Sequence, residues 1–180
     1  NMGTKRIGLA RVEALLENLK REIAFKAGTT LKGFRKQVIL SGGGTTTLTA
    51  ADSGAYCIFD TAGASNFTLP APRLGMHFTF INTILATADH VVQAATNDHG
   101  FLGGVITAST TAAKAAAFGA ATDGNNDFIT MDGATLGGAP GSRIEVTAVL
   151  DASAAKCWAV TGQIAAVGSS TATCFGDAQL

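Results

Sequence analysis

The sequence predicts a mainly β protein: a β-sandwich or β-barrel body preceded by an N-terminal α-helical arm. Three observations carry this. Apolar residues at Leu9, Val12, Leu16, Leu19 and Ile23 recur at alternating steps of three and four, which places them on one stripe of a helix. After Gly33 that spacing disappears, and short β-like runs follow, parted by Gly, Pro, Asp and Asn at intervals of about 8–12 residues. The charge also changes sign near residue 36, so the expected parts are a basic arm, 1–36, and a β-rich body, 37–180.

The arm is the clearest helical signal in the chain. Thr4 can cap its start, and Gly28 stops the pattern after Phe25. Its bases are Lys5, Arg6, Arg11, Lys20, Arg21, Lys26, Lys32, Arg35 and Lys36; its acids are Glu13, Glu17 and Glu22, a net of +6 against −6 for the rest. A stripe of two heptads does not hold a free coiled coil, because a helix this short is marginal alone in water. It must dock on the body, on a sister chain or on a foreign partner.

In the body the expected strands are Gln37–Leu40, Thr45–Leu48, Ala55–Phe59, Asn66–Leu69, His77–Asn82, His90–Gln93, Val105–Thr107, Asp127–Met131, Arg143–Leu150 and Lys156–Gly162. Gly42–Gly44, Asp52-Ser53-Gly54, Pro70-Ala71-Pro72, Asp123–Asn126 and Gly137–Gly141 punctuate them. In Arg143–Leu150, Ile144, Val146, Ala148 and Leu150 alternate with polar residues, giving one buried face and one wet face. Trp158 is expected to anchor the facing strand. The Ala-rich stretch Ala108–Ala121 is expected to be a loop or one short helix.

The composition limits the chemistry. Charged residues make up 14% and apolar residues 47%, against roughly 25% charged in an average soluble domain. So little charge fits either a soluble domain with a surface of Thr, Ser, Asn and Ala or a surface covered by something else in an assembly. Cys57, Cys157 and Cys174 lie far apart with no CxxC pair, which argues for buried, reduced thiols and against a disulfide framework or a zinc site. No run approaches about 18 apolar residues, and no signal-peptide core precedes the arm. The expectation is a chain made in a cytoplasm, neither secreted by a signal nor spanning a membrane.

The stretch Thr47–Pro72 holds Asp52, Ser53 and Cys57 close together, the raw material of a nucleophilic site. Activating Ser53 or Cys57 needs a histidine base held by a third group. Cys57 sits in an apolar strand, where thiols are inert. Asp52-Ser53-Gly54 reads instead as a turn, with the Asp side chain bonding backbone two residues on and Gly54 at positive φ. Asp123–Asp127 spaces its oxygens like a calcium loop, yet Ala134 stands where the bidentate Glu belongs. Asp89-His90 and Asp98-His99 read as edge and turn residues rather than metal ligands. Gly42–Gly44 lacks the GK[ST] of a phosphate loop. Nucleic-acid binding rests on the basic arm alone and is not expected. No catalytic residue, metal or cofactor is therefore expected.

"LTAADSGAYCIFDTAGASNFTLPAPRLGMHFTFIN" resembles a recurring segment of tailed-bacteriophage virion proteins: a Leu-Thr-x-x-Asp-Ser-Gly turn, a strand, a small-residue loop, Thr-Leu-Pro-x-Pro, a Gly and a second strand. "GAPGSRIEVTAVLDASAAKCWAVTGQ" resembles the companion hairpin of the same proteins, and "GTKRIGLARVEALLENLKREI" resembles the starts of structural proteins from marine and cyanobacterial phages. The resemblance covers residues 3–82 and 138–163. It implies a non-enzymatic capsid decoration, or cement, protein located on the virion's outer capsid surface. Its implied partners are the major capsid protein and copies of itself, as a trimer, with no membrane partner. Arg6, Leu9, Arg11, Val12, Leu16, Leu19, Lys20, Arg21 and Ile23 would anchor it. The alternative is a tail or fibre component that binds a host surface through Ala95–Gly104 and Asp123–Asn126.

Overall fold

A computed structural model describes residues 11–14, 36–121, 126–169 and 171–177. The chain divides into two units, Asn1–Arg35 and Lys36–Leu180. Of the first, only residues 11–14 are described; they are helical and exposed. The helix expected over the rest of the arm lies outside the described residues. No described helix is long and apolar enough to cross a membrane.

The described residues of the second unit are mainly β and form twelve strands. These are β1 Val38–Leu40, β2 Gly44–Thr47, β3 Tyr56–Phe59, β4 Ser65–Thr68, β5 His77–Asn82, β6 His90–Gln93, β7 Gly100–Ser109, β8 Ala115–Gly119, β9 Phe128–Met131, β10 Arg143–Ala148, β11 Lys156–Ala166 and β12 Phe175–Gly176. They form two mixed sheets: seven strands in the order β1-β3-β5-β10-β11-β7-β8, and five in the order β12-β9-β6-β4-β2.

The first six strands alternate between the two sheets, and every neighbouring pair among them is parallel: β1 with β3, β3 with β5, β2 with β4, and β4 with β6. The chain therefore winds as a short coil, each turn laying one strand on each sheet. Parallel neighbours need a long crossover, and here the crossover is a strand of the opposite sheet. The remaining strands close the coil. In the larger sheet β10 runs antiparallel to β5 and to β11, β11 pairs in parallel with β7, and β7 turns back into β8. In the smaller sheet β9 runs antiparallel to β6 and β12 to β9.

Alternation explains which side chains meet between the sheets. Cys57 and Phe59, Phe78 and Phe80, and Ile144, Val146 and Ala148 point inward from the larger sheet; Phe67, Val92, Ile129 and Met131 do so from the smaller. They form one core, which gives the pair of sheets a sandwich-like layering. Phe67 meets Phe59 edge-on with ring centroids 5.0 Å apart and lies 5.6 Å from Phe80. Trp158 is fully buried and lies 6.1 Å from Phe78, the anchoring position expected of it.

Three expectations are corrected. Ala115–Gly119, within the Ala-rich stretch, is strand β8 rather than loop or helix. It pairs from Gly104↔Gly119 to Ala108↔Ala115, and its Phe118 packs on the core, so tertiary pairing overrides alanine's weak strand preference. Leu150 is exposed, because β10 stops at Ala148 and the backbone turns there: the Val149 and Leu150 N–H groups both point to the Cys157 carbonyl. In the turn after Thr47, Gly54 has the expected positive φ of 94°. Asp52, however, bonds backward rather than forward. Its carboxylate accepts the Thr49 N–H at 2.8 Å and the Thr49 hydroxyl at 2.7 Å, closing the short 3-10 helix Ala50–Asp52.

Candidate functional site

The cluster of Asp52, Ser53 and Cys57 forms no nucleophilic centre. The Ser53 hydroxyl accepts the backbone N–H of His77 at 3.2 Å, and the Asp52 carboxylate is occupied by Thr49 and by the Gln37 amide. Burial, with a smaller contribution from the Asp52 charge, pushes the Cys57 thiol up to about 12. Such a thiol stays protonated and unreactive in the folded state. All three cysteines are buried and free, as expected. Among the described residues no three His, Cys, Asp or Glu side chains gather as a metal set would. Residues 122–125 of the acidic loop lie outside the described residues.

His90 is a core residue rather than an edge or turn residue. Its ring is fully buried and stacked on Phe59, centroids 4.7 Å apart and planes 8° from parallel. Nε2 lies 2.9 Å from the Thr61 carbonyl, which can only accept, so Nε2 carries the proton. Nδ1 accepts the Asn82 amide N–H at 2.7 Å, and that amide also reaches the Gly138 carbonyl at 3.3 Å. The imidazole is thus held neutral, and burial lowers its pKa even though Thr61, Gly63 and the Asp89 charge pull upward.

The sign of the pH effect follows. Below the ordinary histidine pKa of roughly 6.5 the unfolded chain takes up a proton that folded His90 refuses, so stability falls with pH down to the lower folded value. Asp132 adds a later stage. Burial alone would raise it, but N–H groups of Leu136, Thr135 and Ala134 and the Thr135 hydroxyl outweigh burial and lower it. Its contribution is present above the ordinary carboxylate range and is lost as pH falls through its own value. Urea unfolding should therefore show stability declining already below about pH 6.5. In His90→Phe, which keeps a ring beside Phe59, that first decline should vanish; an unchanged profile would refute the assignment.

The most developed surface feature is the outer face of the seven-stranded sheet, where cross-strand pairing lines residues up in rows. One row runs Leu40, Ile58, Ile81, Arg143, Gln163, Ile106 and Ala117, following the registers from β1 through β3, β5, β10, β11 and β7 to β8. The next row, in the same strand order, runs Val38, Tyr56, Thr79, Glu145, Thr161, Gly104 and Gly119. Arg143 and Glu145 form a half-exposed ion pair at the centre, with Nη2 to Oε1 at 2.5 Å and Nε to the same oxygen at 3.1 Å. That hydrogen bond and charge raise the Arg143 pKa further. Tyr56 lies between two cations, Lys36 at 4.8 Å and Arg143 at 5.9 Å from its ring centroid.

A shallow recess of about 480 Å³ opens beside the ion pair, over Ile106, Thr161 and Gln163. A smaller one of about 150 Å³ lies on its other side, over His77, Thr79 and Thr147. Among the residues that line them, no nucleophile is paired with a positioned base. Leu40 and Val38 at one edge are each 56% exposed, and Ile106, five strands away on β7, is 46% exposed.

Of the nine anchor residues expected in the arm, only Arg11 and Val12 are described, and both are exposed. Arg6, Leu9, Leu16, Leu19, Lys20, Arg21 and Ile23 lie outside the described residues. The recognition loop expected at Ala95–Gly104 is corrected: from Gly100 onward it is strand β7, with Phe101 fully buried. The outer face was partly readable, since Arg143 and Glu145 were on the expected wet side of their strand. Tyr56 falls inside the expected strand Ala55–Phe59, and nothing in the sequence brings it to Arg143. Compared with known proteins, the chain matches no family model and no curated protein.

Proposed function

We propose that this is a non-enzymatic virion structural protein of a tailed bacteriophage, a decoration protein that binds the outer capsid surface and stabilises it. The reading rests on the resemblance over residues 3–82 and 138–163, whose β-forming segments are 48–82 and 138–163. One structural observation supports it: these segments, 55 residues apart in the chain, supply β3, β5, β10 and β11, which lie side by side in the larger sheet. The resembling parts thus make up the central strands of the larger sheet and give β4 to the smaller, while the stretch between them supplies β6 and β9 to the smaller sheet and β7 and β8 to one side of the larger.

The physics suits cementing. Small, weakly charged side chains lose little rotamer freedom when covered, so a surface of Thr, Ala and Gly contributes affinity through fit. The arm supplies the anchor: Leu9, Val12, Leu16, Leu19 and Ile23 insert, while Arg6, Arg11, Lys20 and Arg21 set register on acidic capsid surface. The partners are the major capsid protein and copies of the chain itself.

The test is occupancy on expanded empty capsids. Full-length protein carrying Leu16→Glu and Leu19→Glu should lose at least about tenfold in occupancy, since two buried apolar anchors become charges. Undiminished coating would refute arm-mediated cementing. Binding of the intact chain to host cells but not to capsids would favour the tail or fibre reading instead.

A further inference from the structure

We infer that the outer face of the seven-stranded sheet is a self-association surface, and that its occupant is the same face of a second copy of this chain. The two copies are related by a two-fold axis that runs across the strands, between the two rows described above. This inference does not depend on the capsid reading.

Such an axis keeps each strand over its own counterpart and exchanges the rows. Arg143 of one copy then stands over Glu145 of the other, and the reverse, so one exposed intrachain ion pair becomes two reciprocal ones at the centre of the contact. Size matches as well as charge. Ile106 stands over Gly104 of the second copy, and Ala117 over Gly119, so each projecting side chain meets a position that has none. A shift by one row would place Arg143 over Arg143, and the match would be lost.

The extent is adequate. Seven strands spaced at about 4.8 Å span about 29 Å, and the six residues of β10 run about 20 Å. The projected area, on the order of 600 Å², is close to the roughly 800 Å² per partner of a stable interface. Two twisted sheets packed face to face sit about 30° apart, so contact is closest at the central strands, where the charged pair lies. A three-fold arrangement, implied by the resemblance, would set this face against a different surface and leave the row-on-row match unused.

The test is the mass of the full-length chain in solution by sedimentation velocity. Wild type is expected as a dimer. Arg143→Glu and Glu145→Arg, each placing four like charges at the contact, should weaken self-association by roughly tenfold or more. Because both side chains are about half exposed, the variants should melt as wild type does. The decisive step is mixing: equimolar Arg143→Glu and Glu145→Arg should reassociate, as each supplies the charge the other lacks. A monomeric or trimeric wild type, single variants that still dimerise, or a mixture that stays monomeric would each overturn the inference. A monomeric wild type that loses capsid binding on Arg143→Glu would assign the face to a capsid protein and overturn it too.

Discussion

Replacing Phe67 by alanine should cost about 3–5 kcal/mol of unfolding free energy, the range for removing a fully buried aromatic ring from a packed core. Phe67 belongs to the smaller sheet, yet its ring touches Phe59 and Phe80, both from the larger one. Its removal therefore opens a cavity at the seam between the layers, where neither sheet can close the gap without moving as a whole. Edge-on aromatic contacts add to the loss beyond buried area. Against a total stability of roughly 5–15 kcal/mol, the variant should be marginal. The measurement is the urea midpoint, which should fall with little change in slope. A loss below about 1 kcal/mol would mean that the layers do not share this core.

Gly133→Ala should be nearly as damaging, for a different reason. Gly133 has φ of +79°, and a Cβ there would stand 2.0 Å from the backbone oxygen of Ala86. The left-handed backbone alone costs an alanine about 1–2 kcal/mol. The clash is with main chain rather than with a side chain that can swing away, so the loop must shift. That loop is tightly tied. Gly133 N–H donates to the Gly137 carbonyl at 2.6 Å, the Gly133 carbonyl accepts from Val167 N–H, and Ala86 N–H donates to Gly138. A loss of about 3 kcal/mol or more is expected. Gly141→Ala is the control: φ is +88° with nothing within 4 Å of the added carbon, so only the backbone cost applies. Equal losses in the two variants would remove the clash from the explanation.

The strands of the body were legible because a pleated backbone buries every second side chain. His77–Asn82 and His90–Gln93 fall where that alternation placed them. Partners were not legible, because alternation states which face a residue takes and not which strand lies beside it. The parallel coil stayed hidden for a second reason. Its turns differ in length, with offsets of 18 and 23 residues from Val38 to Tyr56 and from Tyr56 to Thr79, so no repeat period emerges. Ala115–Gly119 went unread as a strand because alanine has little strand preference of its own and takes its conformation here from β7. His90 looked like a polar edge residue because its partners, Asn82 and Thr61, come from two other places in the chain.

The larger sheet's order has a bearing on how the chain acquires its shape during synthesis. Strands β1, β3 and β5 emerge early and in spatial sequence, but the strand that covers the open side of β5 is β10, made more than sixty residues later. Until then β5 presents an unpaired row of backbone donors and acceptors, which is a template for any other extended chain. The nascent coil must therefore persist unsealed until residues 143–148 arrive. Pairings this distant form slowly, on the millisecond-to-second scale. The interval during which β5 is open is the molecule's chief exposure to misassembly, and its length is set by when β10 is made.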